Sequence, residues 1–262
     1  MNSSYNTSCS VQTARQLSCI TSEFYRQQAQ SFSATRQAPW QGWQRCLDAM
    51  PLFSAADNPS ILDVGCGNLR FARFLIQQAK VAPTAYFAVD NSELLVQSGT
   101  TNIQAIFSKV DIVDNLLDGT LASHLNMPSC DLVVSFGFMH HVPGAQNRIQ
   151  LLKTLLHKVK SGGYLCVSFW QFMHSPKLAA KALQTTAIAL TQLQLDAHAL
   201  EENDYLIGWQ NQTNSWRYCH HFTQNELENL LVHMRPQARV CAQFNADGKE
   251  DNLNHYVVLQ RL

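Results

Sequence analysis

The stretch that decides the fold is Ile61-Leu62-Asp63-Val64-Gly65-Cys66-Gly67-Asn68. Its apolar first half predicts a buried strand, its Asp-x-Gly-x-Gly end predicts a tight turn, and residues 69–80 predict a helix. This order is typical of a nucleotide-type cofactor site, because glycine lets the backbone approach a ligand closely. The N-terminus of the following helix offers free N–H groups to the same ligand.

The turn departs from the dinucleotide fingerprint in two ways. The third glycine of G-x-G-x-x-G falls at Arg70, and an acidic residue, Asp63, lies two positions before the first glycine. A carboxylate at that place repels a pyrophosphate and attracts a cation. The turn therefore predicts a positively charged cofactor, contacted by Asp63 and by the backbone of Gly65, Cys66 and Gly67.

Short apolar runs alternate with helical patterns on both sides of this turn. Near-continuous apolar strands that alternate with helices predict an α/β fold with a mostly parallel sheet, covered by helices on both faces. Two late runs, 238–244 and 254–260, predict an antiparallel hairpin at the sheet edge. The five earlier strand runs are 60–64, 84–89, 103–107, 131–136 and 163–169.

The chain divides into a tail, a domain and an insertion. Residues 1–20 are polar and lack the apolar middle of a signal peptide, so we expect a disordered N-terminal tail. Residues 21–262 form one domain. Residues 171–222 break the strand–helix alternation after the fifth strand, which places them above the carboxyl edge of the sheet. We call residues 171–222 the lid segment, because we expect it to cover the substrate pocket.

Composition limits the classes of function. The 262 residues have a formal net charge of zero and are 46% hydrophobic, so the chain has no overall attraction for nucleic acid or an anionic membrane. Its eight cysteines form no C-x-x-C pair, which favours a reduced, cytoplasmic protein over a disulfide framework. No apolar run approaches the roughly 18 residues of a membrane span.

Acidic residues also follow the second and third strand runs. Asp90 ends the second run and is predicted to bind ribose hydroxyls, although capping the next helix is the alternative. Asp111 is predicted to reach the adenine amine, with a turn role as its alternative and Asp114 as a competitor. The residues that complete the predicted cofactor-binding set are Asn91, Ile112 and Phe136.

Two adjacent histidines, His140 and His141, follow the fourth strand run. The loop that carries them lies where the strand order should reverse, so at least one is predicted to contact a ligand. We expect no metal there, because adjacent side chains diverge and no third ligand is spaced to match.

These features together resemble the class I S-adenosylmethionine (SAM)-dependent methyltransferases over residues 60–170. The resemblance implies a Rossmann-like fold with a seven-stranded sheet and an antiparallel last strand. It also implies SAM as the cofactor, which carries an ammonium and a sulfonium and no phosphate. The matching features are the 63–67 turn, Asp90, Asp111, the His140-His141 loop and the Gly162-Gly163 turn.

A narrower resemblance begins at Phe32-Ser33-Ala34-Thr35-Arg36-Gln37-Ala38-Pro39-Trp40. This segment resembles the entry of the tRNA wobble-uridine carboxymethyl methyltransferases, including the domain fused to AlkB-type tRNA hydroxylases. The resemblance continues over 135–142, 204–209 and 217–222, segments that surround the methyl-acceptor pocket in that family. Carried over by position, the catalytic candidates are Arg36, His140, His141 and Arg217, and the substrate-binding candidates are Trp40, Trp209 and His220.

The reaction of that family is esterification of a carboxylate, which is already ionised at pH 7 and needs no strong base. Arg36 and Arg217 would orient the carboxylate, since guanidinium groups match its geometry. Trp40 and Trp209 would stack on a base or aromatic ring, with ordinary packing as their alternative. A hydroxyl or amine acceptor would instead require one of the histidines as general base.

Two departures from the family leave the acceptor open. The family usually has glycine where this chain has Leu69, and it holds tRNA with a basic surface or a partner protein, whereas this chain is neutral. Three hypotheses follow. The chain methylates a tRNA wobble-uridine carboxylate with the help of a small activating protein partner; it methylates a small metabolite; or it is a non-catalytic SAM-fold subunit that binds a partner.

Overall fold

The computed structural model describes residues 9–50, 58–99, 104–210, 212 and 214–262. Its strands are β1 (Ser60–Val64), β2 (Ala85–Asp90), β3 (Ala105–Lys109), β4 (Cys130–Ser135), β5 (Val159–Trp170), β6 (Asp204–Gly208), β7 (Trp216–His220), β8 (Ala238–Ala246) and β9 (Asn254–Arg261). Its helices are α1 (Val11–Ala34), α2 (Gln41–Asp48), α3 (Arg70–Phe74), α4 (Glu93–Gln97), α5 (Ile112–Leu117), α6 (Leu121–His124), α7 (Ala145–His157), α8 (Pro176–Leu193) and α9 (Gln224–Val232).

Seven of the strands form one sheet in the order β3-β2-β1-β4-β5-β9-β8. Strands β1 to β5 are parallel, and β9 runs antiparallel to both β5 and β8. The predicted mostly parallel sheet with an antiparallel last strand and a late hairpin is confirmed. The strand order reverses between β1 and β4, where a parallel sheet of this kind opens a crevice for ligands.

Both faces of the central strands β1 and β4 are buried, as the continuous apolar runs predict. Within β1, Leu62 and Val64 join one core cluster with side chains of α5, α7 and α9. Ile61, which directly precedes Leu62, joins the other cluster, with side chains of α2 and α3. Successive residues of a strand point to opposite faces, so this alternation places helices on both sides of the sheet.

The N-terminus differs from the sequence prediction. Helix α1 begins at Val11, and the hydroxyl of Ser10 caps it by accepting a hydrogen bond from the backbone N–H of Thr13 at 3.1 Å. The prediction of a disordered tail over 1–20 is therefore wrong for residues 11–20, while residues 1–8 lie outside the described residues. Tertiary burial explains the difference, because Leu17 packs among lid-segment side chains that include Leu206 and Tyr218.

The lid segment has a structure of its own. It leaves the large sheet after β5, forms α8 and a separate two-stranded sheet of β6 and β7, and returns to the core through α9. Strands β6 and β7 are antiparallel, with Asp204 opposite His220 and Ile207 opposite Arg217. The sequence predicted no element within the lid segment at β6 and β7, and the structure pairs these two strands.

The end of β7 leads into α9, which begins with half of a capping box. The Thr223 hydroxyl caps the helix by accepting the backbone N–H of Glu226 at 3.3 Å. The Glu226 side chain does not return the bond and contacts His220 and Arg148 instead. A buried cation is a stronger partner for a carboxylate than a backbone N–H group.

Among the described residues, no helix has both the length and the apolar character needed to cross a membrane.

Candidate active site

A cavity of about 590 Å³ opens at the carboxyl ends of β1, β2 and β4, beneath α1 and the lid segment. The nine predicted cofactor residues, Asp63, Gly65, Cys66, Gly67, Asp90, Asn91, Asp111, Ile112 and Phe136, all line it. Six of the seven predicted acceptor residues also line it, namely Arg36, Trp40, His140, His141, Trp209 and Arg217. The two sets therefore share one chamber.

Asp63 provides a negative charge in the wall of the cavity. Its side chain is 2% exposed, and its Oδ2 accepts a hydrogen bond of 2.6 Å from the Tyr86 hydroxyl. Burial, which outweighs the help from Tyr86, raises the pKa of Asp63 to about 7, and Asp90 adds to the rise. A cationic ligand would stabilise the ionised carboxylate, so Asp63 fits the ammonium of SAM.

The glycine turn requires its glycines. Gly65 has φ +78°, and a Cβ there would lie 2.7 Å from the Phe138 side chain. Gly67 has φ +51°, and its N–H donates to Asp90 Oδ2 at 2.9 Å. Leu69, at the place where the related family has glycine, also has a left-handed backbone, with φ 56°. Its buried side chain packs in the core, which offsets that strain.

The acids after β2 and β3 lie at the same end of the cavity. Asp90 Oδ1 accepts the Ser92 N–H at 2.9 Å, while burial raises the pKa of Asp90 above its usual value. Asp111 caps α5 and accepts from Asn91 Nδ2 at 3.1 Å. Its competitor Asp114 pairs with Arg15 and does not line the cavity. The structure thus favours Asp111 for the adenine position.

The opposite end of the cavity holds a buried arginine. Arg217 is 5% exposed, and its Nε finds no hydrogen-bond partner among the residues that the structure describes. Its guanidinium carbon lies 5.1 to 5.7 Å from four ring centroids, those of Phe24, Phe32, Trp170 and Trp209. Within the described part of the chain, no carboxylate forms an ion pair with it. Aromatic faces lower the energy of this cation only in part.

Two more cations lie beside Arg217. The Arg36 guanidinium shares two of the same rings, 4.5 Å from Phe32 and 5.6 Å from Trp209, and burial together with Arg217 lowers its pKa. Lys181 of α8 lines the cavity, and its Nζ makes a long contact of 3.4 Å with the Gln210 carbonyl. Neither forms an ion pair with a carboxylate among the described residues. This end therefore has room for an anion.

The histidine pair is neutral. His141 Nδ1 faces the Tyr218 carbonyl at 2.7 Å and must donate to it, so His141 Nε2 accepts from the Tyr25 hydroxyl at 2.9 Å. Burial, with Arg217 nearby, lowers the pKa of His141 to about 3. Burial also holds the pKa of His140 well below its usual value, and its Nδ1 has no partner. Neither ring is a base of useful strength at neutral pH.

The structure supplies the third metal-type ligand that the sequence did not reveal. Ligand atoms of His140, His141 and Cys219 lie within 4.8 Å of one another. The Nδ1 of His141 is engaged with a carbonyl, and the Arg217 cation stands next to the Cys219 thiol. A positively charged neighbour disfavours a metal ion, so we assign no metal to this cluster.

His220 is placed differently from its prediction. It does not line the cavity, and both of its ring nitrogens contact carboxylates, those of Asp204 and Glu226. The prediction that His220 binds substrate is wrong, because alternate residues of a strand face opposite sides. Arg217 faces the cavity, so His220, three residues later on β7, faces away from it.

The two tryptophans form walls of the cavity. Trp40 packs against Gly137, where a Cβ would lie 2.8 Å from its ring, and the Arg70 guanidinium covers it at 4.6 Å. Trp209 donates its indole N–H to Ser31 Oγ at 3.0 Å. Both positions agree with packing and leave stacking on a substrate as a prediction.

Sequence reasoning missed the contribution of α1. Ser18, Thr21, Ser22 and Tyr25 of this helix line the cavity. Their spacing of three, one and three residues is the spacing of one helix face, which was a usable signal. It was overlooked because the residues before 21 were expected to be disordered. Lys181 carried no signal, since one lysine on a helix is usually solvated.

The fold and the cavity define a class: a Rossmann-like protein whose cavity at the carboxyl edge of the sheet has carboxylates at one end and cations at the other. A sequence model of the methyltransferase domain family matches residues 34–234. The chain belongs to this family and is a SAM-dependent methyltransferase, an enzyme rather than a silent subunit with the same fold.

Individual proteins are similar to the chain at lower levels. It is 23% identical over 148 residues to the mouse tRNA (carboxymethyluridine(34)-5-O)-methyltransferase ALKBH8, a match that covers 56% of this chain and 19% of that protein. It is 26% identical over 151 residues to the Saccharomyces cerevisiae tRNA (carboxymethyluridine(34)-5-O)-methyltransferase, covering 56% of this chain and 46% of that protein. The matches thus span less than half the length of these relatives.

Solved structures share the fold. The DhpI–SAM–HEP complex superimposes with a TM-score of 0.59 at 16% identity, covering 93% of this chain and 97% of that chain. A SAM-dependent methyltransferase from Methanosarcina mazei gives a TM-score of 0.55 at 21% identity, covering 78% of this chain and 93% of that one.

Proposed function

We propose that this enzyme transfers the methyl group of SAM to a carboxylate and forms a methyl ester. The observation that carries the proposal is Arg217, a buried cation in the cavity wall that has no carboxylate partner among the described residues. A buried charge of this kind is costly without an anion beside it and is stabilised when one binds. The acceptor is therefore an anion before the reaction begins.

The cavity has more cations than the single carboxylate of SAM requires, which supports an acceptor that carries a negative charge of its own. SAM itself carries one carboxylate, which can pair with one cation of the cavity. Arg36, Arg217 and Lys181 all line the cavity, so positive charge remains for a second carboxylate. We assign Arg217 to that second group, since it is the most buried of the three.

The histidines support the same choice of acceptor. A hydroxyl or amine must lose a proton during methylation, and an efficient general base has a pKa near the working pH. Burial lowers the pKa of His141 to about 3 and that of His140 well below its usual value. A carboxylate has no proton to lose, so it is the acceptor class that this cavity can serve.

The bond changes balance without a base. SAM supplies an electrophilic methyl group on its sulfonium. An oxygen of the acceptor carboxylate forms the new bond to that carbon, the carbon–sulfur bond breaks, and its electron pair stays on sulfur. The residues of the chain hold the carboxylate in line and keep water out, which is the contribution of positioning to the rate. We expect one carboxylate oxygen to stay free of tight hydrogen bonds.

For the acceptor molecule we propose a carboxymethyluridine at the tRNA wobble position. The curated relatives are named for that substrate, and the resembling segments at 32–40 and 217–222 contribute Arg36 and Arg217 to the cavity. A small carboxylate metabolite is the second candidate, because a chain of net charge zero lacks a general attraction for RNA. A small activating protein partner and a cytoplasmic location remain predictions, the latter favoured by eight free cysteines.

The test supplies the enzyme with methyl-labelled SAM and, separately, with total tRNA from cells that lack the enzyme and with their small-molecule extract. Label in tRNA that maps to the wobble uridine supports the first candidate, and label only in the extract supports the second. Arg217→Gln, which keeps polar atoms but removes the charge, should lose transfer and keep SAM binding. No transfer to either pool, with candidate partner proteins added to both, would count against the proposal.

A further inference from the structure

Behind the acceptor end, on the far side of β7 from the cavity, lies a group of five buried or half-buried charges. His220 Nδ1 contacts Asp204 Oδ1 at 2.6 Å, and His220 Nε2 contacts Glu226 Oε2 at 2.7 Å. Arg148 lies 3.1 Å from Glu226 and 3.1 Å from Glu201. We call Arg148, Glu201, Asp204, His220 and Glu226 the ionic cluster. It joins the lid segment to α7 and α9.

The geometry fixes the protonation state of His220. A neutral imidazole has one N–H group and one lone pair, whereas a carboxylate only accepts hydrogen bonds. Both ring nitrogens of His220 face carboxylate oxygens at hydrogen-bond distance, so both must carry a proton. The short distances are those of charge-assisted hydrogen bonds. In this geometry His220 is an imidazolium.

The surrounding charges agree with that state. The groups that face His220 are Asp204 from β6, Glu226 from α9 and Arg148 from α7, and on its own strand Tyr218 also donates to Asp204. Burial and the positive charge of Arg148 oppose the cation, but the hydrogen bonds with Asp204 and Glu226 outweigh both and raise the pKa of His220 above its usual value. Without the proton, Arg148 would face three buried or half-buried carboxylates alone.

Strand β7 connects this cluster to the cavity. Its residue Tyr218 donates its hydroxyl to Asp204 Oδ1 at 2.7 Å and its backbone N–H to Thr21 Oγ1 at 3.1 Å. The carbonyl of the same residue accepts the His141 N–H, and the preceding residue is Arg217. Because β7 belongs to a sheet of two strands, which is marginally stable alone, such side-chain anchors determine where Arg217 lies.

We propose that His220, held as an imidazolium between Asp204 and Glu226, is a positioning residue that fixes β7 so that Arg217 meets the acceptor. The part of this inference that concerns the acceptor rests on the proposed function. His220 touches neither the cavity nor any group that reacts. Its contribution is present while the proton is bound and is lost as the pH rises through the folded-state pKa, which lies above the unfolded one.

The first experiment uses the wild-type enzyme and needs no acceptor. In ¹⁵N-histidine-labelled protein, the signals that disappear in His220→Gln belong to His220. At pH 7.5 we expect both of its ring nitrogens to be protonated, with a transition at more alkaline pH. A neutral His220 at pH 7.5 would overturn the proposal, whatever the acceptor proves to be.

The second experiment follows the strand. The Tyr218 amide should lose protection from hydrogen exchange, corrected for its intrinsic rate, as His220 is deprotonated. The loss should be roughly tenfold for each unit by which folding raises the pKa of His220. Glu226→Gln should move this loss to lower pH. The matched control is His255→Gln, which removes another buried imidazole, one whose ring nitrogens lie beside the amide groups of Asn245 and Gln243 instead of carboxylates. Protection that does not change with pH would overturn the link to β7.

The third experiment joins the strand to the reaction. With the acceptor found in the transfer assay, its KM should rise through the same pH range while kcat and the Kd for SAM stay constant. Glu226→Gln should shift that rise to lower pH, and retained SAM binding shows that the variant is folded. If the KM of the acceptor did not change over the pH range in which His220 is deprotonated, while the first two results were as expected, the positioning role would be overturned. A missing carboxylate acceptor would instead count against the proposed function.

Discussion

The two ends of the cavity are built on opposite principles. The cofactor end places carboxylates, Asp63 and Asp90, on the tips of strands in the central sheet, and each has hydrogen-bond donors of the chain beside it. The acceptor end has the cations Arg36 and Arg217. Arg36 lies on the loop between α1 and α2, Arg217 lies on the lid segment, and both contact the faces of aromatic rings. The end proposed to bind SAM, a cofactor that does not vary, is therefore built from residues close together in the sequence. The end proposed to bind the acceptor is built from residues far apart in the sequence.

A second contrast concerns two buried arginines, and it gives the largest expected effect. Arg148 is 2% exposed and lies between Glu201 and Glu226, whereas Arg217 is 5% exposed and pairs with no carboxylate of the described residues. We expect Arg148→Met to cost about 3–5 kcal/mol of stability, because it leaves buried carboxylates unpaired. Arg217→Met should be neutral or stabilise the fold by about 1 kcal/mol.

Denaturant unfolding of both variants at pH 7 measures this contrast. If Arg217→Met were as destabilising as Arg148→Met, Arg217 would have a structural partner, and its assignment to the acceptor would fail.

The cofactor end can be broken separately. Asp63→Asn keeps an acceptor for the Tyr86 hydroxyl but removes the charge. Losing one partner of a buried charge pair costs about 2–5 kcal/mol, so the Kd for SAM should rise roughly 30-fold or more. Calorimetric titration checks this, and Arg217→Gln is the control that should keep the wild-type Kd. Equal SAM binding by Asp63→Asn would remove Asp63 from the cofactor site.

The glycine turn offers a smaller and sharper test. A Cβ at Gly65 would lie 2.7 Å from Phe138, whereas one at Gly67 meets no atom within 4 Å, and both residues have positive φ. Gly67→Ala should cost about 1–2 kcal/mol from the backbone alone. Gly65→Ala should cost about 1–3 kcal/mol more from the clash. Thermal unfolding of the pair measures the difference, and an equal loss would show that Phe138 gives way.

The smallest expected effect is the release of a fraction of a proton from Asp63 when SAM binds. Burial raises the pKa of Asp63 to about 7, above its unfolded value, so ionising it destabilises the free protein as the pH rises from about 4 toward 7. A bound cation reverses this, and SAM should therefore release about half a proton on binding at pH 7 and bind more weakly as the pH falls. Calorimetry in two buffers of different ionisation enthalpy measures the released proton. If the wild type released no proton, or if Asp63→Asn released as much, Asp63 would not be the carboxylate that pairs with the cation of SAM.

The cofactor end could be predicted from sequence because its residues are close along the chain and each follows a strand. For residues 63–67 and Asp90, the local pattern of an apolar run followed by an acid or a glycine was enough to predict their position at the end of a strand. Arg36 and Arg217 were reached through resemblance, since no local pattern brings residues so distant in sequence together. His220 was misplaced for the same reason: only the strand β7, which the sequence did not reveal, determines that it faces away from Arg217.

The position of α1 could not be predicted because its N-terminal half is polar in sequence and is ordered by packing on the lid segment. Leu17 and Tyr218 share one cluster, and Thr21 binds the backbone of Tyr218. The same contacts carry Tyr25 to the cavity. Local propensity is a weak guide where tertiary contacts supply the stability.

The central claim is that the acceptor arrives as an anion and that the cavity needs no base to methylate it. The most direct measurement is the alkaline lability of the methyl group transferred from labelled SAM. A methyl ester releases all of the label as volatile methanol under mild alkali, and this is the result expected. Label that resists alkali would be an ether or an amine, formed by an acceptor that had to lose a proton, and would contradict the account.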